Sequence, residues 1–182
     1  MQNQLWITRI ISTTFALIAI AASFCAPLAT WAQEVPAPIQ KLAFLEGTWS
    51  GDATVTEGGQ TTSFRLNIVV TKIAGGLGYY AVGSADIPGM GTYTESDMFG
   101  YDAGKGLVHM FSVTATGETH DHYGRFDRNG NITFKYEGVM NGKKYVETIP
   151  MTIVSPTEFS FKSTATIGGK VQSVFQATMR KG

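Results

Sequence analysis

The side chains able to bind or transform a small molecule are few in this chain and close together. Three histidines occur: His109, His120 and His122. His120 and His122 flank Asp121, and residues two apart in a strand share a face. His109 falls on the strand predicted just before them. If Thr116-Gly117 makes a two-residue turn, Ala115 pairs with Glu118. That register sets Phe111 opposite His122 and His109 opposite Gly124. All three imidazoles then share one face, a donor set for zinc, copper or iron, or an approach to a haem. A slip of one residue sends the 120/122 pair to the other face. Acid–base catalysis by Glu118, Asp121 and Arg125 with these histidines is disfavoured, because Asp121 and Arg125 have the opposite parity. No G-x-S-x-G, H-E-x-x-H, phosphate-loop or dinucleotide fingerprint occurs.

The second kind of chemistry is apolar. Tyr79, Met98, Met110, Phe111, Phe126, Phe134, Tyr136, Tyr145 and Phe161 are spread over most of the predicted strands. On inward faces they would line an apolar pocket with hydroxyl handles. The same side chains could instead fill the interior, leaving a solid interaction module that uses a strand edge or a loop.

The elements that must position these groups are strands. From residue 48 the chain has period two, with candidate strands at 48–57, 61–73, 77–85, 93–102, 107–116, 119–127, 132–139, 144–154, 158–167 and 171–179. Gly58-Gly59, Gly75-Gly76, Asn129-Gly130, Asn141-Gly142 and Gly168-Gly169 supply hairpin turns. The stretch 86–92, with Pro88, Gly89 and Gly91, reads as the longest irregular loop and a candidate gate. Before the strands, residues 33–46 read as a linker and a short helical cap. Roughly ten consecutive hairpin-linked strands predict an all-β, antiparallel up-and-down barrel over 47–182, because closure removes the edges.

Trp49 follows Gly47 where the first strand begins, placed to plug the end of a curling sheet. This G-x-W opening, within Leu42-x-x-Leu45-x-Gly47-x-Trp49, resembles the lipocalin and calycin superfamily. So do a central Phe99-Gly100-Tyr101-Asp102 and a basic residue near the end of the chain. The sequence resembles small exported bacterial proteins of that superfamily whose function is unassigned. The resemblance implies a ligand-holding barrel, with Arg180 covering Trp49 to seal one end. The superfamily's haem-binding nitrobindins use a histidine near the chain's end, and this chain has none after His122.

Composition sets the surroundings. The 182 residues suit one domain, and Lys plus Arg balance Asp plus Glu at 14 each. No strong field attracts nucleic acid or an anionic membrane. Residues 1–32 read as a signal peptide. A polar start with Arg9 leads to an apolar run of about 15 residues, and Thr30-Trp31-Ala32 offers a cleavage site. Cleavage after Ala32 removes Cys25, the sole cysteine, and leaves a disulfide-free chain in a periplasmic or secreted location, off the membrane. The expected function is non-catalytic binding of a small apolar or amphipathic molecule in the barrel. The alternatives are a metal or haem protein using the histidines, and a filled interaction module.

Overall fold

Period two in the sequence becomes ten strands in the structure, a computed structural model that describes residues 34–182. The predicted signal peptide lies outside the described residues. The strands are β1 (Gly47–Glu57), β2 (Gln60–Ile73), β3 (Gly78–Ile87), β4 (Gly91–Asp102), β5 (Leu107–Thr114), β6 (Thr119–Phe126), β7 (Ile132–Met140), β8 (Lys143–Ser155), β9 (Glu158–Ile167) and β10 (Lys170–Lys181). Each pairs antiparallel with its neighbours in sequence, and β10 pairs with β1 to close the barrel. Among the described residues the sheet therefore has no free edge, which removes strand-edge docking from the interaction-module alternative.

Closure needs one small residue at the seam. Gly51 pairs with Met179, and a Cβ on Gly51 would lie 2.0 Å from the Thr178 carbonyl oxygen and 2.9 Å from Met179 Sδ. Any larger side chain at position 51 would push β1 and β10 apart.

The plug at the barrel end is built from the segment before β1. A short helix α1 (Ala37–Lys41) carries Pro38 in its first turn, where the missing N–H breaks no helical bond. A 3-10 turn (Ala43–Leu45) follows. Ile39, Leu42 and Leu45 are buried in one cluster with Trp49, which is itself wholly inaccessible. The indole Nε1 donates to the Leu45 carbonyl at 2.7 Å. Phe159 meets the indole edge-on, with centroids 4.8 Å apart.

The basic cover over Trp49 differs from expectation. Trp49 pairs with Lys181, so the two side chains share the inner face. Lys181 Nζ stands 5.2 Å from the indole centroid and donates to the Phe44 carbonyl at 3.1 Å. Arg180, one residue earlier, points outward and donates to Glu158 at 2.9 Å. Strand parity puts Lys181 in the role expected of Arg180.

Two turn assignments also change. The 86–92 loop contracts to three residues, 88–90, because β3 continues to Ile87 and β4 starts at Gly91. A gate there has little chain to move. Between β5 and β6 the loop holds three residues instead of two: Thr114 N–H donates to the Glu118 carbonyl at 3.1 Å, and Gly117 takes a φ of 83°. A three-residue hairpin loop ending in a left-handed glycine is a common solution. It moves the pairing by one, so Met110 faces His122 and Val108 faces Gly124.

Candidate functional site

That one-residue shift reorganises the histidines. His120 and His122 turn into the barrel beside Ser112 and Met110, and the His122 ring is almost wholly buried. His109 turns outward, where its Nδ1 lies 2.9 Å from Asp121 Oδ1. The expected triad of imidazoles on one face is therefore split, and His109 leaves the set.

The third partner of the inward pair is Glu147, at an inner position of β8. Its Oε2 lies 3.1 Å from His120 Nδ1 and 3.0 Å from His122 Nε2. The Tyr145 hydroxyl approaches the same oxygen at 3.4 Å, and Ser163 donates to Oε1 at 2.5 Å. His122 Nδ1 faces the Met110 carbonyl at 3.3 Å. Tyr136 stacks flat on the His120 ring, with centroids 4.3 Å apart and planes 13° from parallel. Burial on its own would raise the Glu147 carboxyl, but hydrogen bonds from His120, His122 and Ser163 outweigh it and hold the group well below the usual carboxylate range.

A second polar group faces the interior from β4. Asp97 accepts a 2.5 Å hydrogen bond from Ser112, and the Tyr93 hydroxyl donates to Glu95. Asp97, Ser112 and His120 form one cross-strand row, which ties this group to the histidines. Burial raises Asp97 well above the usual carboxylate range, and the nearby Glu95 charge adds to the effect against the opposing Ser112 bond. Burial also raises the Tyr93 and Tyr145 phenols, with Glu95 and Glu147 respectively reinforcing it. Both remain hydrogen-bond donors at neutral pH.

Beside these groups lies an interior cavity of about 120 Å³. Leu66, Ile68, Met110, Ile149, Phe161 and Phe175 supply apolar lining, and Leu45 of the plug contributes as well. Tyr93, Glu95, Asp97, Glu147 and Ser163 supply the polar lining. A larger groove of about 740 Å³ runs over the open outer face past Asp52, Thr54, Thr152, Lys162 and Gln176. It is solvent-facing and gathers no comparable cluster of ionisable groups.

The predicted pocket residues divide by parity. Met110 and Phe161 line the cavity. Tyr79 and Phe134 are buried in the core, Phe134 packing edge-on against Phe99. Tyr136 and Tyr145 surround the His120–Glu147 contact. Phe126 packs partly buried against the core, with Lys41 Nζ 5.2 Å over its ring. Met98 and Phe111 are corrections: they pair with each other on the outer face and are 51% and 43% exposed. Each sits one residue from an inward position.

Glu147, Glu95, Asp97, Ser112 and Ser163 were absent from the sequence-based set. Their signal was present: Glu147 shares parity with Tyr145, Ile149 and Met151, and Glu95 and Asp97 with Tyr93 and Phe99. A carboxylate in phase with an apolar stripe marks a buried charge that needs a partner.

No protein-family model matches the chain, and no curated protein matches its sequence. Among solved structures it is similar to the S-type phycobiliprotein lyase CPES from Guillardia theta, with a TM-score of 0.57 over 79% of this chain and 91% of that one. The two are 10% identical in sequence. The likeness shows a shared barrel fold. A closed antiparallel barrel is the architecture that the alternation and the turn glycines led us to expect.

Proposed function

We propose that the chain is an exported binding protein that holds a compact amphipathic molecule inside its barrel and does not transform it. One observation carries this reading: the cavity is lined on part of its surface by aliphatic and aromatic groups and on another part by Glu95, Asp97, Glu147 and Tyr93. Apolar ligand surface entering such a site is stabilised by about 25 cal/mol per Å² removed from water. The carboxyl groups favour a ligand end that donates hydrogen bonds, such as a protonated amine.

Size narrows the class further. A dry cavity of about 150 Å³ takes benzene, so the roughly 120 Å³ available here suits one ring or a short branched chain. Pockets enclosing larger ligands run to about 300–1,000 Å³, which favours a compact ligand here.

Export is part of the proposal and rests on the 1–32 segment. The mature chain recovered outside the cytoplasm should begin at Gln33, read by intact mass and N-terminal sequencing. A chain retaining residues 1–32 would overturn that part.

The binding reading is tested by native mass spectrometry for a co-purified small molecule, followed by thermal shift with a compound panel. Small ring-bearing amines should raise the melting midpoint, while carboxylates on the same rings should not. A panel in which nothing binds, or in which acids and amines bind alike, would overturn it.

A further inference from the structure

We propose that His120, His122 and Glu147 form a binding site for a divalent first-row transition ion of the zinc and cobalt type. The three donors already converge. Both ring nitrogens lie 3.0–3.1 Å from one carboxylate oxygen, and all three ligand atoms fall within 4.8 Å of one another. Bonds of about 2.0–2.2 Å to a shared ion place adjacent ligand atoms about 3.0–3.6 Å apart, so the two ring nitrogens close in slightly when they share it. Two imidazoles and one carboxylate form a donor set that suits such ions and leaves positions free for water or another ligand.

The orientation of His122 sharpens the inference. Its Nδ1 faces the Met110 carbonyl, which can only accept, so Nδ1 carries a proton. With that nitrogen satisfied, Nε2 is left 3.0 Å from Glu147 Oε2, a gap that takes a proton or a metal ion. A backbone carbonyl on the far nitrogen is also the usual device for orienting a metal-binding imidazole. The other members are braced in a similar way: Ser163 occupies Glu147 Oε1 and leaves Oε2 for the ion, and Tyr136 holds the His120 ring plane. Tyr145 stands 3.4 Å from Oε2 and can serve as a fourth donor or bond to ion-bound water. The competing occupant of the gap is a proton, which would make the cluster a plain ion pair.

The site shares Glu147 with the cavity lining, but its readout is metal binding and not organic-ligand binding, so either reading can fail without the other. The test uses the processed chain, purified without a histidine tag and stripped with a chelator. Titration with cobalt(II) should produce visible ligand-field bands that saturate at one equivalent and disappear when zinc(II) is added. Zinc should also raise the melting midpoint. H122Q and E147Q should each weaken cobalt binding at least about 100-fold, while H109Q leaves it unchanged. Failure of the bands to form, or equal binding by H122Q and E147Q, would overturn the proposal. Should the variants not fold, ¹⁵N spectra of the wild-type rings decide. Zinc must perturb His122 Nε2 and His120 Nδ1, and unchanged ring resonances would overturn it.

Discussion

Asp97 is the side chain whose surroundings most oppose its charge. Its carboxyl faces the interior beside Glu95, and burial pushes its pKa upward. A group whose folded pKa is raised contributes stability that is complete below its unfolded value, about 3.9, and is lost as pH rises through the folded value. Asp97→Asn keeps an acceptor for Ser112 and offers Glu95 an N–H. It should therefore match wild type near pH 4 and exceed it at pH 7, by on the order of 1 kcal/mol or about 3 °C. Denaturation scans at the two pH values check this, and a variant less stable at pH 7 would contradict it. The two basic residues at the chain's end give a second residue-scale contrast. Lys181→Ala removes a cation from the Trp49 face and a donor from the Phe44 carbonyl, and should cost about 1–2 kcal/mol. Arg180→Ala breaks an exposed ion pair with Glu158 and should cost under about 1 kcal/mol. Chemical denaturation of both variants measures the difference.

At the scale of elements, the seam between β1 and β10 is the junction least tolerant of an added side chain, since Gly51 has the tightest clearance of the described glycines. Gly51→Ala would drive a Cβ into the Thr178 carbonyl, so the strands must part or the ladder must shift. We expect a loss of at least about 3 kcal/mol. Amide exchange should quicken along Gly51–Val55 and Phe175–Met179 before it does in β4 and β5. Uniform quickening would place the weakness elsewhere. The β5–β6 hairpin shows how far sequence reading carried. The strands were legible from alternation, and the turn from Thr116-Gly117. Loop length was not, since Gly117 serves a two-residue or a three-residue loop equally well. One residue in that loop decided which of His109, His120 and His122 entered the barrel. The 86–92 segment misled for a related reason. Its Pro and Gly residues mark a turn, but Asp86 and Ile87 on one side and Gly91 and Thr92 on the other still pair as strand.

For the whole molecule, the question is whether the interior stays hollow in solution. Ala81 lines the cavity and is buried. Ala81→Leu adds three carbons toward a space of about 120 Å³. A hollow barrel should accept them with little or no loss of stability and should lose binding of the compact ligands proposed above. A filled interior would instead lose about 1–3 kcal/mol by overpacking. Thermal melts with and without ligand separate the outcomes.

Alternation, turn glycines and a tryptophan before the first strand determined by themselves that this chain is an antiparallel barrel with a plugged end. They could do so because period, turn chemistry and strand number are local properties, and closure is the means by which such a meander hides its edges. Only the tertiary structure decided which side chains meet inside. Register changes every inward residue when it slips by one, and it depends on loop lengths and on strands remote in sequence. Hence Glu147 found His120 and His122 across separate strands, Lys181 displaced Arg180 over Trp49, and Met98 and Phe111 turned to solvent.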